Sequence, residues 1–339
     1  MFRERQILDI LIGRLDANPS VRSNIYRAES ITWKGKSFPI DVIELGSDNI
    51  DHPCIGFFSG VHGMERIGTQ VILAFLQSLT ERLQWDDSLI NLLTQVKLLF
   101  MPIVNPVGIF MHSRCNGNNV DLMRNAPINA EVNVPFLVGG HRLGKALPWY
   151  RGKKNADMEA ESQALINTVN QRIIPHKKAI TIDCHSGFGL NDRLWFPFAY
   201  SARPFPLLAE VTALKNTLDK SYPYHHFYHI EPQSNAYHTH GDLWDYLSVE
   251  NEGRDFIPLT LEMGSWLWLK KNPKQIFDIF GVYHPIQEHR IKRVLRQHMP
   301  LLDFLIRMTA SHKYWWPNTT RARKTLENEA FELWFRKVS

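Results

Sequence analysis

The sequence predicts an α/β protein built on a mixed, largely parallel central sheet flanked by helices on both faces. Three observations predict it. Short β-rich runs alternate with longer stretches of helical periodicity. Several of those runs end in turns holding Gly, Asn or His. No Gly/Ser-rich or charged linker, repeat or low-complexity tract divides the 339 residues. A single domain over 1–339 is therefore expected, with an N-terminal helix and edge strand in 1–50, the segment that carries the candidate site in 55–264 and a C-terminal helical region in 270–339.

The elements are expected in the following order. The opening MFRERQILDILIGRLDANPS interrupts its apolar residues with Arg and Asp, so it reads as an amphipathic helix rather than a signal peptide. Strands are expected at Pro39–Leu45, Cys54–Ser59, Val96–Val104, Ala179–Cys184, Leu194–Ala199 and Ile257–Glu262. Ile67–Leu83 carries Val71, Leu73, Phe75, Leu76 and Leu79 at helical spacing, beginning soon after Gly63 at a tight strand-to-helix turn. Ala156–Arg172 and Pro285–Met308 are the other clear helices. Ala126–Lys154, with prolines and a Gly139-Gly140 pair, and Ser221–Asp255, rich in Tyr, His and Asn, read as long loops. Loops of that length in a compact domain often build binding sites.

Composition narrows the function classes. Hydrophobic residues make up 44% of the chain and charged ones 22%, enough for a sizeable core. The net charge of +5 is spread along the sequence; Arg290, Lys292, Arg293 and Arg296 form the nearest thing to a cluster, at spacings that suit one solvated helix face. No nucleic-acid partner is expected. No apolar run reaches the length of a membrane span, so none is expected there either. Three cysteines, Cys54, Cys115 and Cys184, form no disulfide framework and fit a reducing compartment, so a cytoplasmic location is expected. A GxSxG turn and a P-loop are both absent.

The chemistry sits where strands end. CIGFFSG is followed by Val61-His62-Gly63-Met64-Glu65, the strand ending Ile103-Val104 by Asn105-Pro106-Val107-Gly108, and AITIDC by His185-Ser186-Gly187; IPLTLE itself ends in Glu262. Open α/β sheets bind ligands beyond the carboxyl ends of their strands. Two His and two Glu at such ends are the set a catalytic zinc needs: three protein ligands, an open position for water, and a carboxylate to take the water's proton. His62 and Glu65, three residues apart, can share one ion, His185 is the best-placed third ligand, and Glu262 is the candidate base. Cys184 should point to the other side of its strand and be packed, because side chains alternate.

The ordered set HGME (62–65), NPVG (105–108), Arg114 with NNVDLMRN (118–125), CHSG (184–187) and TLEMG (260–264) resembles the zinc metallocarboxypeptidase superfamily. That superfamily also includes aspartoacylase and succinylglutamate desuccinylase. The resemblance runs from about Ile55 to Gly264. It implies a carboxypeptidase-like fold and a zinc ion, one per chain, on His62, Glu65 and His185, with Glu262 as general base. It also implies that Arg114 polarises the scissile carbonyl and that Arg124, with Asn125, holds a substrate carboxylate. The family's segment has Asn before that arginine where this chain has Met123, one hydrogen-bond partner fewer. For the mobile-loop tyrosine, Tyr237 and Tyr246 both lie in the right region, and Tyr237 is preferred because a flexible loop can bring it over the metal. Arg142 and Arg151, and likewise His238 and His240, are expected to be solvated loop residues rather than anchors. The Trp-rich segments 266–268 and 314–316 are expected to serve core or interface.

The function these features support is a zinc-dependent amide-bond hydrolase of the metallocarboxypeptidase kind, acting on a peptide with a free carboxylate. The alternatives are an N-acyl amino acid deacylase and a metal-binding module without turnover. Nothing in the sequence sets the oligomeric state.

Overall fold

The structure is a computed structural model that describes residues 2–19, 21–224, 227–271 and 279–336. Within the region expected to be helical, 270–339, residues 272–278 and 337–339 thus lie outside the described residues.

An N-terminal helix, α1 (Arg3–Asp16), buries Leu8, Leu11 and Leu15 at the spacing of one helix face. It leads into a hairpin, β1 (Ser23–Trp33) and β2 (Lys36–Gly46). The turn between them holds Lys34 and Gly35 at φ 47° and 73°, as a twisted two-residue hairpin loop requires. The expected Pro39–Leu45 strand is thus longer than its apolar stretch. Strand β1 was missed because none of its residues is fully buried. The edge expected at 39–45 is occupied instead by β1.

Then follow β3 (Cys54–Ser59), α2 (Arg66–Arg82), α3 (Asp87–Leu93), β4 (Lys97–Met101) and α4 (Pro106–Met111). The rest of the chain forms α5 (Ala160–Arg172), β5 (Ala179–Ser186), β6 (Asp192–Phe196), α6 (Leu208–Ser221), β7 (Tyr228–Pro232), α7 (Leu243–Glu250) and β8 (Phe256–Met263). Helices α8 (Trp266–Lys271), α9 (Ile279–Tyr283), α10 (Glu288–Ala310) and α11 (Thr320–Ala330) complete it. The segment Ser221–Asp255 is therefore not one loop. Asp242 caps α7 by accepting from the amides of Trp244 and Asp245, and Leu243, Trp244 and Leu247 bury its inner face. The stretch 127–155 holds no helix or strand, as expected, apart from a bridge between His141 and Tyr150. Strand β4 stops earlier and β6 starts and stops earlier than the apolar runs 96–104 and 194–199, with Pro102 and Pro197 just beyond their ends.

Among the described residues the strands form one eight-stranded sheet in the order β1-β2-β4-β3-β5-β8-β6-β7. The central run β4-β3-β5-β8 is parallel, as is the β6/β7 pair, while the β1/β2, β2/β4 and β8/β6 pairs are antiparallel. One face carries a core built with α1, α2, α3, α6 and α10, including Ile180, Ile182 and Cys184 of β5 and Ile257, Leu259 and Leu261 of β8. The other carries a smaller core built with α5 and α7, including Leu165, Val169, Trp244 and Leu247. Cys184 is packed, as alternation required. No described helix is long and apolar enough to cross a membrane.

Candidate metal centre and active-site cleft

Strand alternation builds the site. Ile180, Ile182 and Cys184 face the larger core, so Asp183 and His185 face the opposite side. The same parity in β8 turns Thr260 and Glu262 to that side, and the parallel register sets His185 directly beside Glu262. Strand β3 lies on the other flank of β5, with Ser59 paired to Cys184, and delivers the turn that holds His62 and Glu65. Gly63 lets this turn meet the NPVG turn: a Cβ there would stand 1.9 Å from the Gly108 carbonyl carbon. Asn105 ties the two together by donating to the Val61 carbonyl and accepting from the Gly108 amide.

His62, Glu65 and His185 each offer one ligating atom, all within 4.8 Å of one another, and are the one such group of three among the described residues. His62 Nδ1 lies 2.8 Å from Glu65 Oε1, and His185 Nδ1 lies 3.0 Å from Glu65 Oε2 and 3.3 Å from His62 Nδ1. The far nitrogens are occupied. His62 Nε2 is 3.0 Å from Asp121 Oδ1, and His185 Nε2 is 2.8 Å from Asp183 Oδ2, which also accepts from the Trp244 indole at 3.0 Å. Each imidazole is thus held by a carboxylate and turns Nδ1 towards the Glu65 carboxylate, the arrangement a metal ligand requires. The donor set of two imidazoles and a carboxylate fits zinc.

Burial works against the charge on Glu65, but His62 and His185 outweigh it and hold its pKa low. Burial likewise opposes ionisation of Asp121, and Arg114 and His62 hold it well below the usual carboxylate range. For His185, burial is outweighed by Asp183 and Glu65, and its pKa rises well above the ordinary imidazole value. Glu262 is different. Burial, then the Glu65 charge, push its carboxyl up to about 8, against His185 and Arg114. It accepts a 3.0 Å hydrogen bond from the Phe188 amide. Its place beside His185 and Glu65 is where a general base would stand.

A cleft of about 330 Å³ opens over this cluster, lined by His62, Glu65, His185 and Glu262 together with Arg114, Arg124 and Tyr237. Arg114 donates to Asp121 Oδ2 at 2.8 Å and to Glu65 Oε1 at 3.1 Å. Arg124 is the last residue of a single 3-10 turn (Leu122–Arg124) capped by Asp121 and donates to the carbonyls of Val138 and Met123. Tyr237 packs its ring against Phe188 and Trp195; burial raises its phenol pKa, while Arg124 beside it pulls the other way. Seven of the eight residues singled out from the sequence therefore share one cleft.

Asn125 is the exception. It is buried, donates to the Arg151 carbonyl and accepts from the Glu159 amide, so it fastens the segment behind Arg124 and does not line the cleft. Tyr246 does not line it either. Arg151 is not a solvated loop charge: it is buried, and its guanidinium donates to the carbonyls of Arg124 and Ile128 and to Asn129. Burial, then Arg142 and Arg124, push its pKa down to about 10. Arg142 donates to the Gly152 carbonyl, while His238 and His240 are partly buried and hydrogen-bonded to backbone. Trp268 and Trp316 are buried, whereas Trp266 and Tyr314 remain largely exposed. Sequence reasoning missed Asp121, Asp183, Asp242 and Tyr283, all in or behind the cleft. The polar residues at alternate positions of ITIDCH were a usable signal for Asp183; Tyr283 had none.

The fold and the site define an α/β protein with a His-Glu-His metal cluster at the carboxyl ends of adjacent parallel strands. The profile of the family described as zinc carboxypeptidase matches residues 19–270, and the chain belongs to that zinc-dependent family. Among individual relatives, carboxypeptidase SOL1 of Arabidopsis thaliana is 32% identical over 108 residues, 31% of this chain and 22% of that protein. Carboxypeptidase 2 of Trichophyton tonsurans is 29% identical over 101 residues, 28% of this chain and 18% of that protein. The matched stretches thus take in about a fifth of those relatives' length. Carboxypeptidase A from Helicoverpa armigera shares the fold with a TM-score of 0.67 at 15% identity, over 92% of this chain and 74% of that one. Bovine thrombin-activatable fibrinolysis inhibitor does so with a TM-score of 0.66 at 16% identity, over 92% of this chain and 98% of that one.

Proposed function

We propose that this protein is a zinc-dependent carboxypeptidase that removes the last residue of a peptide. The observation that carries the reading is the convergence of the His62, Glu65 and His185 ligating atoms within 4.8 Å in a cleft that Glu262, Arg114 and Arg124 also line. One zinc per chain is expected there, and when bound it supplies Lewis acidity and lowers the pKa of water in its open position.

The chain's own residues do the rest. Arg124 takes the substrate's terminal carboxylate, fixing the last peptide bond over the cluster. Tyr237 closes over that residue from the aromatic wall. Glu262 accepts the proton of the attacking water and hands it to the leaving amine. Arg114 faces the scissile carbonyl as negative charge develops on its oxygen. Asp121 and Asp183 keep the two imidazoles in the tautomer that points Nδ1 inward.

The test is metal analysis paired with hydrolysis of a mixed set of blocked peptides and N-acyl amino acids, for the wild type and Glu262→Gln. The wild type should carry about one zinc and release C-terminal residues in a chelator-sensitive way. The variant should keep the metal and lose roughly 10²–10⁴-fold in turnover. Cleavage confined to the acyl amino acids would assign a deacylase instead. Equal behaviour of the two proteins would leave a binding module.

A further inference from the structure

Cations are spread along the chain, but their excess over carboxylates is not. The segment 126–155 holds five Lys or Arg and one acidic residue, Glu131, so it carries +4 of the net charge of +5. Two of those cations work inwards. Arg151 is buried against the carbonyls of Arg124 and Ile128, and Arg142 donates to the carbonyls of Gly152 and Lys153. The other three, Lys145, Lys153 and Lys154, are exposed and form no ion pair with any described residue.

The apolar side chains of the same segment also face outwards. Four of the fifteen large apolar or aromatic side chains exposed among the described residues fall between positions 132 and 147: Val132, Phe136, Leu143 and Leu147. Phe136 is 81% exposed and Leu143 68%, so neither contributes to the core. A single exposed apolar side chain is ordinary; a group of them within one basic segment marks an interaction surface. The segment is held firmly although it has no helix or strand. A turn in which the Gly139 amide donates to the Pro135 carbonyl carries Phe136. A ribbon closed where the His141 amide meets the Trp149 carbonyl and the Arg151 amide meets the His141 carbonyl carries Leu143, Lys145 and Leu147. Gly140 joins the two, at φ 93°, where a Cβ would stand 3.0 Å from Arg124 Cδ and 3.1 Å from Arg151 Cδ.

Charge decides what such a face meets. A second copy docked through the same segment would set one +4 face against another, and like charges repel. Apolar tips standing singly among unpaired lysines suit an anionic bilayer, where apolar groups enter the headgroup boundary and lysines meet lipid phosphates. We infer that segment 126–155 docks the protein on an anionic lipid surface, with Phe136, Leu143 and Leu147 as the inserted tips. This docking is peripheral and needs no membrane-spanning helix. It is independent of the carboxypeptidase reading. Pro135, Val138 and Trp149 of the same segment line the cleft, so docking brings the cleft mouth to the lipid surface.

The experiment is cosedimentation of the zinc-loaded full chain with vesicles of phosphatidylcholine alone or with about 30% phosphatidylglycerol, a level that gives a clearly anionic surface. Binding should be about 100-fold stronger to the anionic vesicles, from roughly 5-fold per exposed lysine, and should weaken as salt is added. The triple variant Lys145→Gln, Lys153→Gln, Lys154→Gln should lose that preference. Phe136→Ser with Leu143→Ser should weaken binding about 10-fold at unchanged charge. All five positions are exposed, and circular dichroism and zinc content of both variants should match the wild type. The control Lys292→Gln, Arg293→Gln, Arg296→Gln removes the same charge from α10 and should bind like the wild type. Equal binding to both vesicle types, or none, would overturn the inference and leave the face to an acidic protein. An equal loss in the α10 control would reduce it to net charge, and indifference to Phe136 and Leu143 would remove insertion. A dimer on gel filtration that either segment variant dissociates would assign the face to a second copy instead.

Discussion

The imidazoles of His62 and His185 are each gripped by a carboxylate on the nitrogen that faces away from the cluster. The two grips differ. Asp121 is shared with Arg114, which neutralises it, whereas Asp183 meets the His185 ring and the Trp244 indole through Oδ2, and its Oδ1 has no hydrogen-bond partner among the described residues. Asp183→Asn would therefore cost orientation and basicity of His185 without disturbing the arginine network. Zinc affinity should fall about 10- to 100-fold, measured by competition with a chromogenic chelator, while the circular dichroism of the zinc-free protein stays the same. Unchanged affinity would mean that packing alone orients His185. At this scale the sequence was most informative where a side chain must do chemistry. His62, Glu65, His185 and Glu262 stood out because their types and strand-end positions suit a metal. Asn125 and Arg151 misled because nothing in the sequence distinguishes a polar group that meets substrate from one that satisfies a backbone carbonyl.

Among the elements, the turns matter more than the strands they follow. The His62–Glu65 turn and the NPVG turn interlock through Gly63, where the space for a β-carbon is already filled by the Gly108 backbone. Gly63→Ala should destabilise the protein by about 1–3 kcal/mol, as overpacking does, and should displace His62 and Glu65 together. A shifted urea midpoint combined with weakened zinc binding would check this; a loss of neither would show that the turns can slide apart. The elements that were legible in advance are those with a strong apolar period, α1, α2, β3, β5 and β8. Strand β1 escaped because its half-buried alternation of Ser, Asn, Arg, Glu and Thr gives little hydrophobic contrast. Helix α7 escaped because eight residues in a segment rich in Tyr, His and Asn are too few to show a period, although Asp242 before Leu243-Trp244 was a readable cap.

Across the whole molecule, pH should act through histidines buried away from the cleft. His298 of α10 is almost fully buried, bonded to the Tyr228 hydroxyl at 2.9 Å, and burial pushes its pKa from 6.5 down to about 3. Asp192 lies 3.8 Å away, but burial raises its own pKa and so weakens it as a counter-charge. As pH falls through 6.5 the unfolded chain takes up a proton that the folded chain refuses until about 3. Stability therefore declines over that window. His284, lowered to about 4 by burial and then Arg66, acts in the same sense. Tm measured between pH 7 and 5 at fixed zinc should fall for the wild type and fall less steeply for His298→Gln. Parallel slopes would show that His298 is protonated in the fold.

The pairing of His185 with Glu262 across β5 and β8 has a consequence for any preparation of this protein. The two residues come from segments 77 positions apart in sequence, and their meeting depends on strands whose side chains switch faces at every step. A chain that joined β8 to β5 one residue out would retain its helices, its sheet and much of its spectroscopic appearance, yet it would present Leu261 or Met263 where the proton acceptor belongs. Catalytic output is thus a ruler for strand alignment, sensitive to an error of a single residue.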